Sequence, residues 1–452
     1  MIVYSPEMAD IIRKTVLVAC LFTLNTNVGA QTPEYLTNET TAAESVAETE
    51  TSLTQIISPE RPRREGIWRL PDTGPFLNDS QTEFKFRGYD FERTDGFGVT
   101  QSQASTLGGD LSFESGRWKD TLSVAASWYT SQGVDAPENL DGTGLLGPGQ
   151  SDISVIGRAF VRVDVGEWRA RFYRQDYMMP YINRQDSRMV PNTHEGYGFA
   201  RLGEKLSFTG GHITKIKRRT SEEFIPMAEA AGVPGGTAGT TAAGMKYDTG
   251  DFQAGGLIAY THDAFNIAYG EANWARTISD NLAFKLSAQY TDQRSVGRQD
   301  LGDFSTHTYG VSFGGSFRNA SFTVAYTKTD EGAAILSPFG GRPGFNSMMI
   351  LNFDRAGEEG RRISLSFHFG RVGVPGLSLQ TNFGRGRNAI DAITGLPLSD
   401  DEEDDITIDY RPEQGKLAGL WIRLRTADVS RMDPANDRND VRLIINYDFA
   451  ML

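Results

Sequence analysis

The chain has 452 residues and an acidic balance, with 58 Asp and Glu against 45 Lys and Arg and a formal net charge of −13. This charge argues against a nucleic-acid partner, because the phosphate backbone selects basic surfaces. Beyond residue 30 no apolar run approaches the roughly 20 residues that a membrane-spanning helix needs, which leaves an exported soluble β-protein and an outer-membrane barrel as the remaining classes.

The first thirty residues predict a signal peptide. A basic pair precedes an apolar run over residues 15–24, and small residues lead up to Ala30. We expect cleavage after Ala30, with Met8 as an alternative start of translation. A lipoprotein site ending at Cys20 is the competing interpretation, but the apolar run continues past that cysteine. Cleavage after Ala30 removes the single cysteine and with it all disulfide and Cys-ligated metal chemistry.

Residues 31–80 predict a disordered, acidic periplasmic arm. They are rich in Thr, Glu, Ser and Ala and contain few large apolar residues, so they cannot bury enough apolar surface to fold alone. A short amphipathic helix in the same stretch is the alternative. The expected organisation is therefore a signal peptide over 1–30, the arm over 31–80 and one barrel domain over 81–452.

From residue 81 onward, short segments alternate between apolar and polar residues. In the last segment Val441, Leu443 and Ile445 fall on one face, while Arg442 and Asn446 fall on the other. A period of two is what a barrel strand needs when one face meets lipid and the other meets water. A soluble sandwich would alternate in the same way, so other features must separate the two classes.

The connections between these segments supply such a feature. Nine mostly longer connections, among them 132–152, 177–194, 215–240, 330–359 and 387–403, alternate with eight tight turns. Short turns at one end and long loops at the other are typical of transmembrane barrels. We therefore predict an all-β fold, an antiparallel up-and-down transmembrane barrel of about 18 strands. The turns are placed near residues 119–120, 166–167, 203–204, 249–250, 280–281, 318–319, 375–376 and 414–415.

Arginine recurs on the predicted water-facing side of many strands. A lipid-facing arginine costs about 2 to 4 kcal/mol at the bilayer midplane, so these side chains are expected to point into the lumen. A file of guanidinium groups would bind carboxylates in steps. The alternative is that the arginines pair with lumen acids and merely stiffen the barrel. The candidates by alternation are Arg87, Arg93, Arg158, Arg162, Arg169, Arg171, Arg423, Arg425 and Arg442.

Catalytic motifs are sparse. The five histidines show no metal-binding or catalytic spacing, and no Gly-x-Ser-x-Gly sequence occurs. We expect neither an enzyme nor a cofactor nor a metal site. A hydrolase with a triad assembled from distant strands, or a plugged surface or adhesion barrel, remains the alternative.

Four segments in chain order resemble the OprD family of substrate-selective outer-membrane porins. Residues 86–93 (FRGYDFER) resemble the family's first strand, and residues 186–196 (DSRMVPNTHEG) are similar to the family's Ser-Arg-Leu-x-Pro-x-Thr segment in the third loop. Residues 373–377 (GVPGL) match a periplasmic turn, and residues 439–447 (NDVRLIINY) resemble the closing strand. The likeness covers most of residues 81–452.

This resemblance implies an eighteen-stranded, largely monomeric barrel in the outer membrane, with the third and seventh loops folded inward to form a constriction. It implies a basic ladder on one wall of the lumen and an acidic patch opposite. Such channels pass amino acids, small peptides, or aromatic and other carboxylates. Ser187, Arg188 and Asp354 would lie in the constriction loops. The ladder positions would be Arg93, Arg188, Arg423, Arg425 and Arg442, with Arg87 adjacent and Arg162, Arg169 and Arg171 added from alternation alone.

The acidic patch that the resemblance implies at the constriction is matched less well by this sequence. Asp354 stands where the seventh loop should carry an acid, but the following strand offers Ser366 and His368 in place of an inward aspartate. A weaker acidic patch favours simple carboxylates as the solutes. The acidic run over residues 400–405 is expected at a solvated loop tip, with a divalent-cation bridge to lipopolysaccharide as the alternative. The expected partners are small carboxylate or amino-acid solutes and the lipids of the outer membrane.

Overall fold

The computed structural model describes residues 74–412 and 414–450. The predicted signal peptide and most of the predicted arm lie outside these residues. The final residues of the arm region form a short helix, α1 (Pro75–Asn78), and the Phe76 carbonyl accepts a hydrogen bond of 2.9 Å from the Gly116 amide. The chain therefore contacts the turn after the second strand before it enters the first.

Eighteen antiparallel strands form one closed sheet. Each strand pairs with its neighbours in sequence, and the last strand pairs with the first, where Arg87 lies opposite Asn446. The prediction of an up-and-down barrel of about 18 strands is confirmed. In chain order the strands β1 to β18 span Gln81–Thr94, Thr100–Glu114, Leu122–Asp135, Ile153–Val165, Trp168–Gln175, Thr193–Arg201, Leu206–Lys217, Thr240–Asp248, Phe252–Thr261, Phe265–Ser279, Leu282–Ser295, Ser305–Phe317, Ala320–Thr329, Glu359–His368, Leu377–Arg387, Asp401–Tyr410, Leu420–Ser430 and Arg438–Ala450.

The remaining regular elements are short and lie in the connections. The third loop, residues 176–192, contains a small hairpin of Met178–Met179 with Ile182–Asn183. In the fourth loop Phe224–Pro226 pairs with β7 and leads into helix α2, Met227–Ala231. None of the helices in the described part of the chain has the length and apolar character needed to cross a membrane. Single 3-10 turns lie at Glu138–Leu140, Pro148–Gln150, Gly370–Val372, Gly415–Leu417 and Pro434–Asn436.

The two faces of the sheet differ in polarity. In β11 the Ser287 side of the strand is buried, with Ser287 1% exposed, whereas its neighbour Leu286 is 52% exposed. The same alternation places large apolar side chains outside and polar side chains inside around the ring. An exposed apolar belt with a buried polar interior is the reverse of a soluble sandwich. This arrangement separates the two classes that alternation alone left open.

All eight predicted tight turns join consecutive strands, from β2–β3 to β16–β17. At the first of them Lys119 and Asp120 both have positive φ, 49° and 56°. Two consecutive residues with positive φ are required by the type I′ turn, whose twist matches that of the flanking strands. The turns gather at one end of the barrel, and the longer loops gather at the other.

The third loop packs against two separate parts of the inner wall. Its Tyr181 and Ile182 share an apolar cluster with Phe265 of β10 and with Phe339 of the seventh loop, residues 330–358. Further along the same loop, Met189 and Val190 share a second cluster that includes side chains of β1–β4. Burial of these side chains fixes the loop at both ends. Its polar segment, residues 184–188, lies between the two anchors.

Candidate functional site

Five arginines point inward from three adjacent strands at the seam where the barrel closes. We call them the basic row: Arg423 and Arg425 on β17, Arg442 on β18, and Arg87 and Arg93 on β1. Arg425 and Arg442 are direct cross-strand partners. Directly opposed side chains on one face of a sheet lie about 4.5 to 5.5 Å apart at Cβ. The row therefore places like charges side by side.

A single aromatic ring organises the centre of the row. The guanidinium of Arg442 lies 4.9 Å from the ring centroid of Phe91, and those of Arg93 and Arg188 lie 5.4 and 5.3 Å from it. Cations are attracted to the negative face of an aromatic ring, an effect that grows where water is excluded. Phe91 is fully buried. It thus brings arginines from β1, β18 and the third loop to one place.

Acidic neighbours compensate part of the charge. Asp440 accepts hydrogen bonds from Arg93 at 2.6 and 2.8 Å and from Arg442 at 2.5 Å, so two arginines share one carboxylate. Asp409 accepts a bidentate pair from Arg423 at 2.7 and 2.9 Å. Arg425 donates instead to the hydroxyl of Thr407 at 3.2 Å. The five arginines of the row therefore outnumber the carboxylates that accept hydrogen bonds from them, which are Asp440, Asp409 and Asp186.

The third loop adds a further cation to this centre. Arg188 donates from Nε to the Thr143 carbonyl at 2.9 Å, and its own carbonyl accepts from Arg87. Burial lowers the pKa of Arg188 to about 9, and the positive charges of Arg442 and Arg219 act in the same direction. The side chain still carries its charge at neutral pH. Ser187 beside it accepts a hydrogen bond of 2.7 Å from Arg219.

An ion-pair cluster ties the loop to β1. Asp186 accepts from Arg87 at 2.8 Å and from Arg184 at 3.1 Å. Burial alone would raise the pKa of Asp186, but Arg87 and Arg184 outweigh it and hold that pKa well below its usual range. The side chain keeps 24% exposure, so solvent weakens the pairs.

Removing this charge tests the tie. We expect Asp186→Asn to lower the free energy of unfolding by about 1 kcal/mol at pH 7, the value typical of a partly exposed pair. A carboxylate with a lowered pKa stabilises the folded state above its ordinary pKa of about 3.9, and the contribution is lost as pH falls through the lowered value. Denaturant unfolding of both proteins in detergent at pH 7 and at stepwise lower pH values from about 4 down to about 1 measures the difference. A difference that stays constant between these pH values would contradict the charge assignment.

A second basic group lies on β4 and β5. Arg162 and Arg171 are cross-strand partners, and Arg169 is the partner of Asp164 on the same inner face. Arg162 pairs with Glu114 at 2.6 Å, and Arg169 pairs with Asp164 at 2.8 Å. Strands β2 and β3 separate this group from the basic row. The arginines predicted by alternation thus form two groups on the inner wall rather than one file.

Asp354, the predicted acid of the seventh loop, forms an ion pair with Arg342 inside the same loop. Ser366 and His368 lie on the inward-facing side of β14, as the sequence predicted. In the described part of the chain no group of three or more His, Cys, Asp or Glu side chains is arranged to hold a metal ion. Because Asp354 pairs with Arg342, the predicted acid of the seventh loop is already engaged by an arginine of the same loop.

The prediction for residues 400–405 was wrong. Residues from Asp401 onward belong to β16, and Glu403 and Asp405 are buried on its inner face. Glu403 accepts backbone hydrogen bonds from Ile350 at 2.7 Å and Leu351 at 2.6 Å. A run of acids looks like a solvated loop tip, but a strand with a polar interior hides every second residue. These acids hold the seventh loop against the wall.

Asp440 is a residue of the candidate site that the sequence analysis missed. It lies two residues before Arg442 and therefore on the same face of β18. The alternation used to assign Arg442 would have found it. Arg184 and Arg219 were also missed, and because they lie in loops, no periodic signal marks them.

Comparison with protein-family models matches residues 74–451 to the outer membrane porin, OprD family. Among solved structures, OpdK of Pseudomonas aeruginosa with vanillate aligns with a TM-score of 0.74 at 21% identity, covering 83% of this chain and 100% of that chain. OccK9 (OpdG) of the same organism gives 0.76 at 20%, and a BenF-like porin from Pseudomonas fluorescens Pf-5 gives 0.75 at 19%, with the same coverage. Comparison with curated proteins gave no match.

Proposed function

The chain belongs to the OprD family of outer-membrane porins, and we propose that it carries small solutes with a carboxylate group along the basic row. As a member of a porin family it is a passive channel of the bacterial outer membrane and not an enzyme. The class of solute that passes is determined by the side chains of the inner wall. The constriction is assigned in this proposal to Ser187 and Arg188 of the third loop and Asp354 of the seventh.

The opposed arginines Arg425 and Arg442 carry the proposal. Like charges directly across a strand pair are unfavourable, and an anion between them relieves the repulsion. A carboxylate presents two oxygens to guanidinium groups, which suits it to this position. Arg93, Arg188 and Arg423 lie next along the wall, so that a solute can pass from one cation to another. Water and the neighbouring carboxylates keep each step weak enough for release.

The engagement of the acids favours simple carboxylates over amino acids. An amino acid also needs an acceptor for its ammonium group. Asp409 and Asp440 are occupied by arginines, and Glu403 is occupied by the amides of the seventh loop. The structurally similar OpdK was solved with vanillate, an aromatic carboxylate. This precedent supports aromatic carboxylates as the first solutes to test.

Single-channel recording of the full chain in planar bilayers tests the proposed function. We expect discrete conductance steps, a preference for anions over cations, and permeation of benzoate and vanillate in excess of lysine. The physical reason is that the arginines of the basic row outnumber the carboxylates that accept hydrogen bonds from them. Conductance with a preference for cations, or no conductance step for a folded barrel, would reject the proposal.

A further inference from the structure

The outer face of the barrel carries a basic patch at the loop end of three adjacent strands. The patch consists of Lys328 on β13, Arg361 on β14, and Arg385 and Arg387 on β15. These residues alternate with the inward-facing side chains of their strands. In the loop-end halves of β13–β15, which the structure describes completely, Glu359 is the single outward-facing acid. On β13 and β14 two cations, Lys328 and Arg361, therefore share one carboxylate, that of Glu359.

The patch lies at the edge of the membrane-facing belt. The next outward row toward the turn end consists of Val324, Ile363 and Phe383, all exposed and in cross-strand register. Tyr326 shares a row with Arg361. Tyr and Trp side chains mark the membrane–water interface of barrels, and the long-loop end faces the outside. The basic patch therefore stands at the height of the outer-leaflet headgroups.

Like charges meet directly in this patch. Arg361 and Arg385 are cross-strand partners on the outer face, an unfavourable arrangement without an anion. Arg385 pairs with Asp404 at 2.6 Å and with Glu402 at 3.2 Å. Arg387 pairs with Asp400 at 2.5 Å and with Glu402 at 3.4 Å. These contacts balance the β15 side of the patch with acids at the start of β16.

Arg361 is the least balanced cation of the four. Its side chain is 72% exposed, and its Nη2 lies 3.9 Å from a Glu359 oxygen. Glu359 lies closer to Lys328, at 3.1 Å. A tetrahedral phosphate offers several oxygens, which suits it to a point where an arginine, a lysine and a second arginine converge.

We propose that the basic patch binds a phosphate group of lipid A, the membrane anchor of lipopolysaccharide, and thereby fixes one lipid against β13–β15. The position at headgroup height, the two cations around the single acid Glu359 and the opposed arginines Arg361 and Arg385 each favour a phosphorylated lipid of the outer leaflet. The patch faces the opposite side of the wall from the basic row. Binding of a lipid at the patch is therefore independent of which solute passes through the channel.

Native mass spectrometry of the purified full chain with added lipid A tests this proposal. We expect the double variant Arg361→Ala with Arg385→Ala to bind lipid A at least about tenfold more weakly than the wild type, a loss in the range reported for charge-assisted contacts. The matched control is Arg276→Ala, which removes an outward-facing, exposed arginine near the turn end of β10. Binding by the control should equal that of the wild type.

Two further arms identify the lipid. Lipid A without its phosphates should lose binding to the wild type, and phosphatidylglycerol at equal concentration should compete poorly. Equal binding of lipid A by the double variant and the wild type would overturn the proposal, as would equal binding of the dephosphorylated lipid. Full competition by phosphatidylglycerol would overturn the assignment to lipid A. The substitutions lie on the outer surface, so we expect every variant to fold. The shift in gel mobility between unheated and heated samples checks that each variant is a folded barrel.

Discussion

Replacing Arg425 with glutamate is expected to lower carboxylate permeation through the channel at least about tenfold, since a loss of 1.4 kcal/mol in binding corresponds to one factor of ten. The substitution turns the Arg425–Arg442 pair from two like charges into an ion pair. The new carboxylate occupies the place proposed for the carboxylate of the solute. Bilayer recording with benzoate as the current-carrying anion, together with a reversal-potential measurement, gives the flux and the selectivity.

Two variants make this result specific. Arg425→Lys keeps the charge but loses the planar fork of donors, so we expect a smaller loss of permeation. Arg276→Glu makes the same charge reversal on the outer face near the turn end and should leave permeation unchanged. If Arg425→Glu conducts benzoate like the wild type while its barrel is folded, the solute does not use the basic row.

Removing the Glu403 carboxylate is expected to release the seventh loop. In Glu403→Ala the partly buried amides of Ile350 and Leu351 lose their acceptor, the carboxylate of the fully buried Glu403. An unsatisfied amide costs about 1 to 3 kcal/mol when fully buried, and these two are partly buried, so we expect a local loss of roughly 2 kcal/mol. The measurement is the frequency of brief current fluctuations in single-channel records, which should rise, together with faster protease cleavage within residues 330–358.

The neighbouring acid provides the control for this experiment. Glu402 has the same charge on the same strand but faces outward. Glu402→Ala should therefore leave the current fluctuations as they are in the wild type. Glu403→Gln keeps one acceptor oxygen and should give an intermediate result. Steady current and unchanged proteolysis in Glu403→Ala would show that other contacts hold the loop.

The barrel itself could be predicted from the sequence because its strands separate two solvents. Lipid outside and water inside impose a period of two on every strand, as in residues 441–447, where Val441 and Leu443 face out and Arg442 faces in. The turns were also predictable, since tight connections depend on a few local residues such as Lys119 and Asp120. Both signals are local in sequence.

The site could be predicted only in part, because its contacts join distant residues. Alternation assigned Arg425 and Arg442 to the lumen, but only the register of β17 with β18 shows that they oppose each other. Arg93 and Asp440 are 347 positions apart. The place of Arg188 came from family resemblance, since loops have no period. Glu403 was misassigned because residues 400–405 are all acidic, so the alternation between apolar and polar residues that marks a strand is absent there.

Closure of the barrel between β1 and β18 has a consequence for biogenesis. The basic row combines side chains of the first strand with side chains of the last two. Arg93 meets Asp440, and Phe91 meets the Arg442 guanidinium, only when the two ends of the chain pair. Contacts of such long separation form late in folding. A chain whose β17 and β18 have not paired with β1 therefore lacks the basic row, so ionic selectivity would report on completed assembly.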